Sequence, residues 1–220
     1  MRKPKRKTTT VEAAIVDMRE KISSRSLSPG TRIPEEELAA AYNLPRAKAR
    51  EVLATLEDRG LVEREPNKGA IVAAVDMETT YRLYEVREAL DALAVRLATL
   101  NTTSADWDDI SELFGDSFER SLKAGDLDQH INAIEVFRSR IREAAHNPIL
   151  SDMIDRIYDR TRVTIRRVAL LPGRAEMGIK QYRAVLTAII RGDADQAEVL
   201  VRELNRSARD YISRYKDYVF

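Results

Sequence analysis

The sequence predicts a mainly α protein in two parts: three short helices closed by a β-hairpin, then an antiparallel bundle of about six helices. Three observations predict it. Gly is scarce while Ala, Leu, Glu and Arg abound, and charged residues make up 33% of the 220, a composition of good helix formers. Apolar residues recur at three- and four-residue spacing along most of the chain, the period of a helix with one buried face. β-prone runs joined by turn residues occur in one place, within residues 61–75.

Taken in order, the chain starts with MRKPKRK, which has no apolar segment behind it; residues 1–9 read as a basic, disordered tail and not as a secretory signal. Val11, Ala14, Ile15, Met18 and Ile22 predict an amphipathic helix over 9–25, followed by a Ser-Pro-Gly turn. A second helix starts near Pro34, a residue suited to the first helical position. Glu35, Glu36 and Glu37 complement its dipole, and Leu38, Ala39 and Tyr42 face inward. After the break at residues 42–45, a third helix runs from about Arg46 to Arg59. Ala49, Val52, Leu53 and Leu56 form its inner face and Gly60 its stop. The runs 61–65 and 70–75, joined by Pro66, Asn67, Lys68 and Gly69, predict the hairpin.

From Asp76 onward the pattern is helical throughout. Breaks at 101–104, Gly125, Asn147-Pro148, Pro172-Gly173 and Gly192-Asp193 divide it into six helices. Their inner faces would include Leu83, Val86, Leu90 and Leu97 in the first, Ile134 and Phe137 in the third, and Val199, Leu200 and Tyr211 in the last. A bundle is the simplest way to bury so many faces joined by short connections. The expected domains are 10–75 and 76–220.

Composition narrows the function. With no Cys there are no disulfides or thiolate metal sites, and no apolar stretch approaches the ~20 residues of a membrane span, so a cytoplasmic protein with no membrane partner is expected. Two histidines, His130 and His146, lie 16 apart with no carboxylate at ligand spacing and read as surface or cap residues. Lacking also a phosphate-binding glycine loop, the chain offers no constellation for an enzyme. Residues 1–75 hold 15 Lys and Arg against 11 Asp and Glu, whereas 76–220 hold 22 against 25. A polyanion would therefore face the first part.

Arg46, Lys48 and Arg50 open the third helix, where the backbone dipole disfavours cations. Something negative in front of them would resolve the conflict. Two helices joined by a tight turn, the second opening with cations, then a hairpin tipped by Lys68 and Gly69, is the layout of a winged helix-turn-helix. In that motif the start of the second helix reads base edges in the major groove. Arg46 and Arg50, four apart, share one face, and their forked donors suit guanine or phosphate. The tail cations Arg2, Lys3, Lys5, Arg6 and Lys7 would add nonspecific, salt-sensitive affinity. The same residues also fit an ordinary solvated helix face on a protein-docking module.

The stretch LSPGTRIPEEELAAAYNLPRAKAREVLATLEDRGLVEREPNKGAIVAAV resembles the N-terminal domain of GntR-family bacterial transcription regulators. LYEVREALDALAVRLA and IRGDADQAEVLVRELN resemble the start and end of the FadR-type ligand-binding domain, and six helices there resemble the VanR subgroup. The resemblance implies DNA contacts by Arg46 and Arg50 and a wing tip at Lys68 and Gly69; Lys48, between the arginines, is a DNA-binding candidate by its charge and position. Pro45 and Ala47 stand where hydroxyl residues are usual, and Lys48 where Pro is common, so the operator preference should depart from the family's commonest form.

Many members hold a divalent metal with one Asp and three His, and the matching positions here are Ile134, Arg138, Tyr182 and Leu204. Ile, Leu and a permanently charged Arg offer no lone pairs to a metal, so neither metal nor cofactor is expected. Arg87 matches a family position facing the pocket. With Arg138 and Tyr182 it can hold a carboxylate or phosphate among Ile134 and Leu204; alternatively Arg138 pairs with Glu135 or Asp155 and closes the cavity. The expected function is that of a homodimeric regulator, a repressor, bound to a palindromic operator and controlled by an organic or sugar acid bound without metal. The alternative is a DNA-binding protein whose second domain only dimerises or recruits a partner.

Overall fold

The computed structural model describes residues 9–66, 68–115, 120 and 127–219. The basic stretch 1–8, the turn residue Asn67 and the break expected at Gly125 lie outside them. The chain falls into two compact units, Met1–Val75 with Tyr158–Val163, and Asp76–Ile157 with Thr164–Phe220.

In the first unit, α1 (Val11–Ser23) is opened by Thr10, whose hydroxyl accepts from the Ala13 amide. α2 (Glu35–Tyr42) starts one residue later than the sequence suggested. Pro34 is its extended cap (φ −66°, ψ 135°), because the Ile33 amide donates to the Ala70 carbonyl at 2.8 Å and holds the approach straight. The helix ends on Asn43 in the left-handed region (φ 53°), which with Pro45 makes the tight turn into α3 (Arg46–Asp58). Ala49, Val52, Leu53 and Leu56 are fully buried, and Gly60 (φ +68°) stops the chain's helical path. β1 (Val62–Glu65) pairs antiparallel with β2 (Gly69–Val72), Val62 opposite Val72 and Glu65 opposite Gly69. Arg32 also bridges to Ile71, a contact too short to leave a period in the sequence.

The second unit comprises α4 (Met77–Asn101), a 3-10 turn (Ser104–Trp107), α5 (Asp108–Leu113), α6 (Leu127–Ala144), α7 (Pro148–Ala169) apart from Tyr158–Val163, α8 (Arg174–Ile190), α9 (Ala194–Arg214) and a short α10 (Lys216–Val219). Side chains of Asp76, Asn147 and Asp193 cap α4, α7 and α9. The expected mainly α class, with a small two-stranded sheet in the first part and a helical second part, is what the chain adopts.

Phe137 is fully buried, with the rings of Phe114, Trp107 and Tyr182 at centroid distances of 5.4, 6.0 and 6.1 Å. Phe137→Ala removes a ring from this cluster and leaves a void. It should cost about 3–5 kcal/mol of stability in chemical denaturation.

Large apolar residues mislead on two helices. Val86, expected inside, is 49% exposed, while Leu90 and Leu97 are only half-buried. The inner face of α4 instead carries Leu83, Tyr84, Arg87, Ala94, Val95 and Ala98. On α9 Val199 is exposed and Leu200 and Tyr211 are half-buried, with Ala197, Val201, Leu204 and Ala208 inside. α4 and α9 pack together over the longest contact of the unit. Alanines on both let the backbones approach closely, which turns the bulkier side chains outward.

Candidate functional site

The first candidate surface is the start of α3 with the hairpin. α3 opens from Pro45 with no side-chain cap and no acidic residue in its first turn, so its cations stand against the helix dipole without a capping anion. The Arg46 and Arg50 side chains are 66% and 63% exposed, and Lys48 and Lys68 are about as open. Arg46, Lys68 and Gly69 line one cleft, together with Arg32 and Arg64, which the sequence did not single out. Gly69 (φ +78°) has open space where a Cβ would stand, so a backbone can approach the hairpin tip closely. Of the cations expected to contact DNA, Arg46 and Lys68 share this cleft, Arg50 reaches Glu35 on its wall, and Lys48 does not line it.

Each of these cations meets a carboxylate in the free chain. Glu36 pairs with Arg46 (2.5 Å), Glu35 with Arg50 (3.2 Å), Glu51 with Lys48 (2.6 Å) and Glu65 with Lys68 (2.7 Å). The Glu51 carboxylate also raises the Lys48 ammonium above its ordinary pKa. Exposed pairs of this kind are worth about 0–1 kcal/mol each, so a phosphate or a guanine can displace them. Glu35 and Glu36, expected to serve only the α2 dipole, therefore also compete for the arginines of α3. In Glu35→Gln/Glu36→Gln, affinity for random duplex should rise about tenfold near 0.1 M salt, because two acidic charges per protomer no longer face the phosphates. Fluorescence anisotropy against salt measures this, and unchanged random-DNA affinity contradicts it.

The second candidate site is a small cavity of about 40 Å³ inside the helical unit. Arg87 comes from α4, His130, Ile134 and Arg138 from α6, and Arg174 and Tyr182 from α8. Arg138 donates to the Tyr182 hydroxyl, its guanidinium 5.5 Å from the ring centroid. Arg87 is buried beside Asp91 (3.2 Å) and over the Tyr84 ring (4.9 Å), and Asn205 donates to the same Asp91 oxygen. Asp155, one of the two carboxylates considered for Arg138, pairs instead with Arg142 at 3.4 Å.

Four of the five residues expected to bind an effector, Arg87, Ile134, Arg138 and Tyr182, line this cavity. Leu204 does not: it is buried on the inner face of α9, where it packs rather than lines. The four family metal positions carry an alkyl chain, a guanidinium, a phenol and another alkyl chain, which do not fit a divalent ion. Among the described residues, no group of three or more His, Cys, Asp or Glu could hold one.

Two family models match the chain: "Bacterial regulatory proteins, gntR family" over residues 10–72 and the FCD domain over residues 82–207. The chain belongs to the GntR family, in its FCD-containing branch. The HTH-type transcriptional regulator McbR of Escherichia coli (strain K12) is 25% identical to this GntR protein over 190 residues, 86% of either chain. The HTH-type transcriptional repressor RspR of the same organism is 22% identical over 201 residues, 87% of this chain and 86% of its own. The solved structure of E. coli McbR/YncC has the same fold (TM-score 0.78, 24% identity, 94% and 98% of the two chains). So does a GntR transcriptional regulator from Rhodococcus sp. RHA1 (TM-score 0.71, 18% identity, 93% and 98%). The protein is therefore a DNA-binding regulator of the GntR/FCD class and not an enzyme. No described helix is long and apolar enough to cross a membrane.

One expectation for this GntR protein is corrected. His146 is an exposed cap in the left-handed region (φ 51°), but His130 is 2% exposed and lines the cavity. Burial, followed by the nearby Arg174 charge, pushes its pKa down to about 4, so the imidazole is neutral at pH 7. Arg174 was missed altogether, although the signal that drew attention to Arg46 marks it too: a cation on the first residue of a helix, directly after a break.

Proposed function

We propose that this protein is a homodimeric transcriptional repressor of the cytoplasm that reads a palindromic operator through α3 and the hairpin and is released by a small organic or sugar acid. Residues 10–75 would bind DNA, and residues 76–220 would dimerise and take the effector without metal. The observation that carries the reading is the pair Arg46 and Arg50, both exposed at the uncapped start of the second helix of a helix-turn-helix. The cavity's Arg87, Arg138 and Tyr182 supply charge-assisted donors for a carboxylate. The name of the relative RspR, a transcriptional repressor, supports the sign.

Dimerisation has its own support. Val86, Leu90, Leu93, Leu97 and Leu100 follow one another at spacings of four and three along α4, and all five are exposed or half-buried. That repeat places them on one narrow stripe, the pattern of a seam between two helices. A second copy of this chain fits it, because a twofold axis supplies the same stripe and the second recognition helix that a palindrome needs. Effector binding would then favour one arrangement of the two DNA-binding parts, with a coupling of about 1–3 kcal/mol.

Selection of bound duplexes from a random pool tests this function. A twofold-symmetric consensus is expected, and competition by added organic acids should lower its occupancy. Absence of any enriched sequence would overturn the DNA reading. The bond from Arg138 to Tyr182 favours a second reading, in which that contact closes the cavity and the domain serves dimerisation alone. Thermal-shift screening separates the two, since stabilisation by an acid requires an open site.

A further inference from the structure

Within the effector reading just given, we infer that the cavity is built for a doubly charged oxyanion, a small dicarboxylate or phosphate monoester, held between Arg138 on α6 and Arg174 on α8.

Arg174 anchors the argument. It is 7% exposed, and its partners are uncharged: the Gln181 side-chain oxygen at 3.3 Å and the ring of Tyr211 at 5.6 Å. Burial of a guanidinium without a counter-charge is unfavourable, and burial does lower its pKa below the ordinary arginine value. Three further features of the fold are unfavourable in the same direction. Arg174 is the first residue of α8, where the helix dipole disfavours a cation. Arg138 lies close enough that each cation lowers the affinity of the neighbouring groups for a proton, Arg174 and His130 alike. Gly178 sits in the middle of α8, and a Cβ there would stand 3.2 Å from the Arg174 Nη1. An alanine there would push that guanidinium aside by a few tenths of an ångström.

An anion between the two guanidinium groups reverses the first three of these and uses the fourth. Among the described residues lining the cavity are three arginines and no Asp or Glu. Arg87 has its carboxylate in Asp91, behind the wall; Arg174 has none. One singly charged carboxylate can satisfy one arginine fork. Two negative groups, or one phosphate with two charges, match the summed charge of Arg138 and Arg174, both of which line the cavity. The neutral His130 and the Tyr84 and Tyr182 phenols remain as hydrogen-bonding groups beside them.

The test uses the full chain without DNA at constant ionic strength. Thermal shift and calorimetry are run with succinate and glutarate, with glycerol 3-phosphate, and with butyrate and valerate as monoanions of matching length. At least one dianion class should bind ten or more times tighter than the monocarboxylates, and the dicarboxylate and phosphate arms identify which. Arg174→Met should raise or preserve the melting temperature of the unliganded protein while abolishing the dianion-induced shift. Gly178→Ala, which suits a helix better, should keep the fold and weaken the dianion at least tenfold.

Equal binding of mono- and dianions, or a dianion shift retained in Arg174→Met, would overturn the inference and leave the effector reading standing. A lower melting temperature for unliganded Arg174→Met would assign the residue to the fold alone, against the inference. No binding by any anion would remove both.

Discussion

Replacing Arg46 and Arg50 together by alanine should reduce the ratio of operator to random-duplex affinity by about a thousandfold or more. A bidentate guanidinium-base contact discriminates by roughly 1–3 kcal/mol, and a twofold dimer carries each arginine twice. The lower end of that range, summed over four side chains, already comes to about 4 kcal/mol, the equivalent of three decades. The fold should not register the change. Both side chains are mostly exposed, and their pairs with Glu36 and Glu35 are of the weak surface kind, so circular dichroism and melting temperature should match the parent. If one arginine holds a phosphate, the salt dependence of binding flattens as well. Retained selectivity with both arginines gone would place the readout elsewhere on the surface.

Leu93→Lys should separate the proposed dimer and lower operator affinity by about a hundredfold or more. Leu93 is the centre of the α4 stripe and is 44% exposed in the single chain, so a lysine there is tolerated by the protomer. Across a twofold seam, two such cations would face apolar side chains and each other, at a cost of several kcal/mol. Sedimentation would show a species of half the mass, and the operator would be bound only through single half-sites. Val16→Lys is the control: Val16 is an exposed apolar residue on α1, outside the stripe, and its replacement should leave both measurements unchanged. A Leu93→Lys protein that still sediments as a dimer would remove the seam from α4.

These predictions rest on elements that the sequence reveals to different degrees. Turns and breaks are local, so the ends of α3, the hairpin at residues 61–75 and the breaks around Asn147-Pro148 and Gly192-Asp193 could be read from residue types. The phase of α4 could not. With leucines on one side and alanines on the other, the size of the side chains points outward, and only the close fit against α9 decides which face is inside.

The site divides the same way. Arg46 and Arg50 stand out because they contradict the dipole of their own helix, and the metal positions could be tested by their donor atoms alone. Glu35 and Glu36 looked like dipole partners because their reach to α3 depends on the turn at Asn43. His130 reads as a surface residue because nothing in its neighbourhood in the sequence reports a cavity lined from α4, α6, α7, α8 and α9. Arg174 carries the same contradiction as Arg46, but the Pro172-Gly173 break before it reports only where a helix starts.

The space that Gly178 leaves for Arg174 ties two positions four residues apart into one unit of inheritance. A glycine in the middle of a helix is disfavoured by about 1 kcal/mol relative to alanine, and in a protein that needs no guanidinium there it has no compensation. Across kindred sequences the two residues should therefore covary: arginine at the first position should travel with glycine at the second, and chains that lose the arginine should drift to alanine or larger. Such a coupled substitution would let genomes sort regulators by the charge of the metabolite they answer to before any ligand is known.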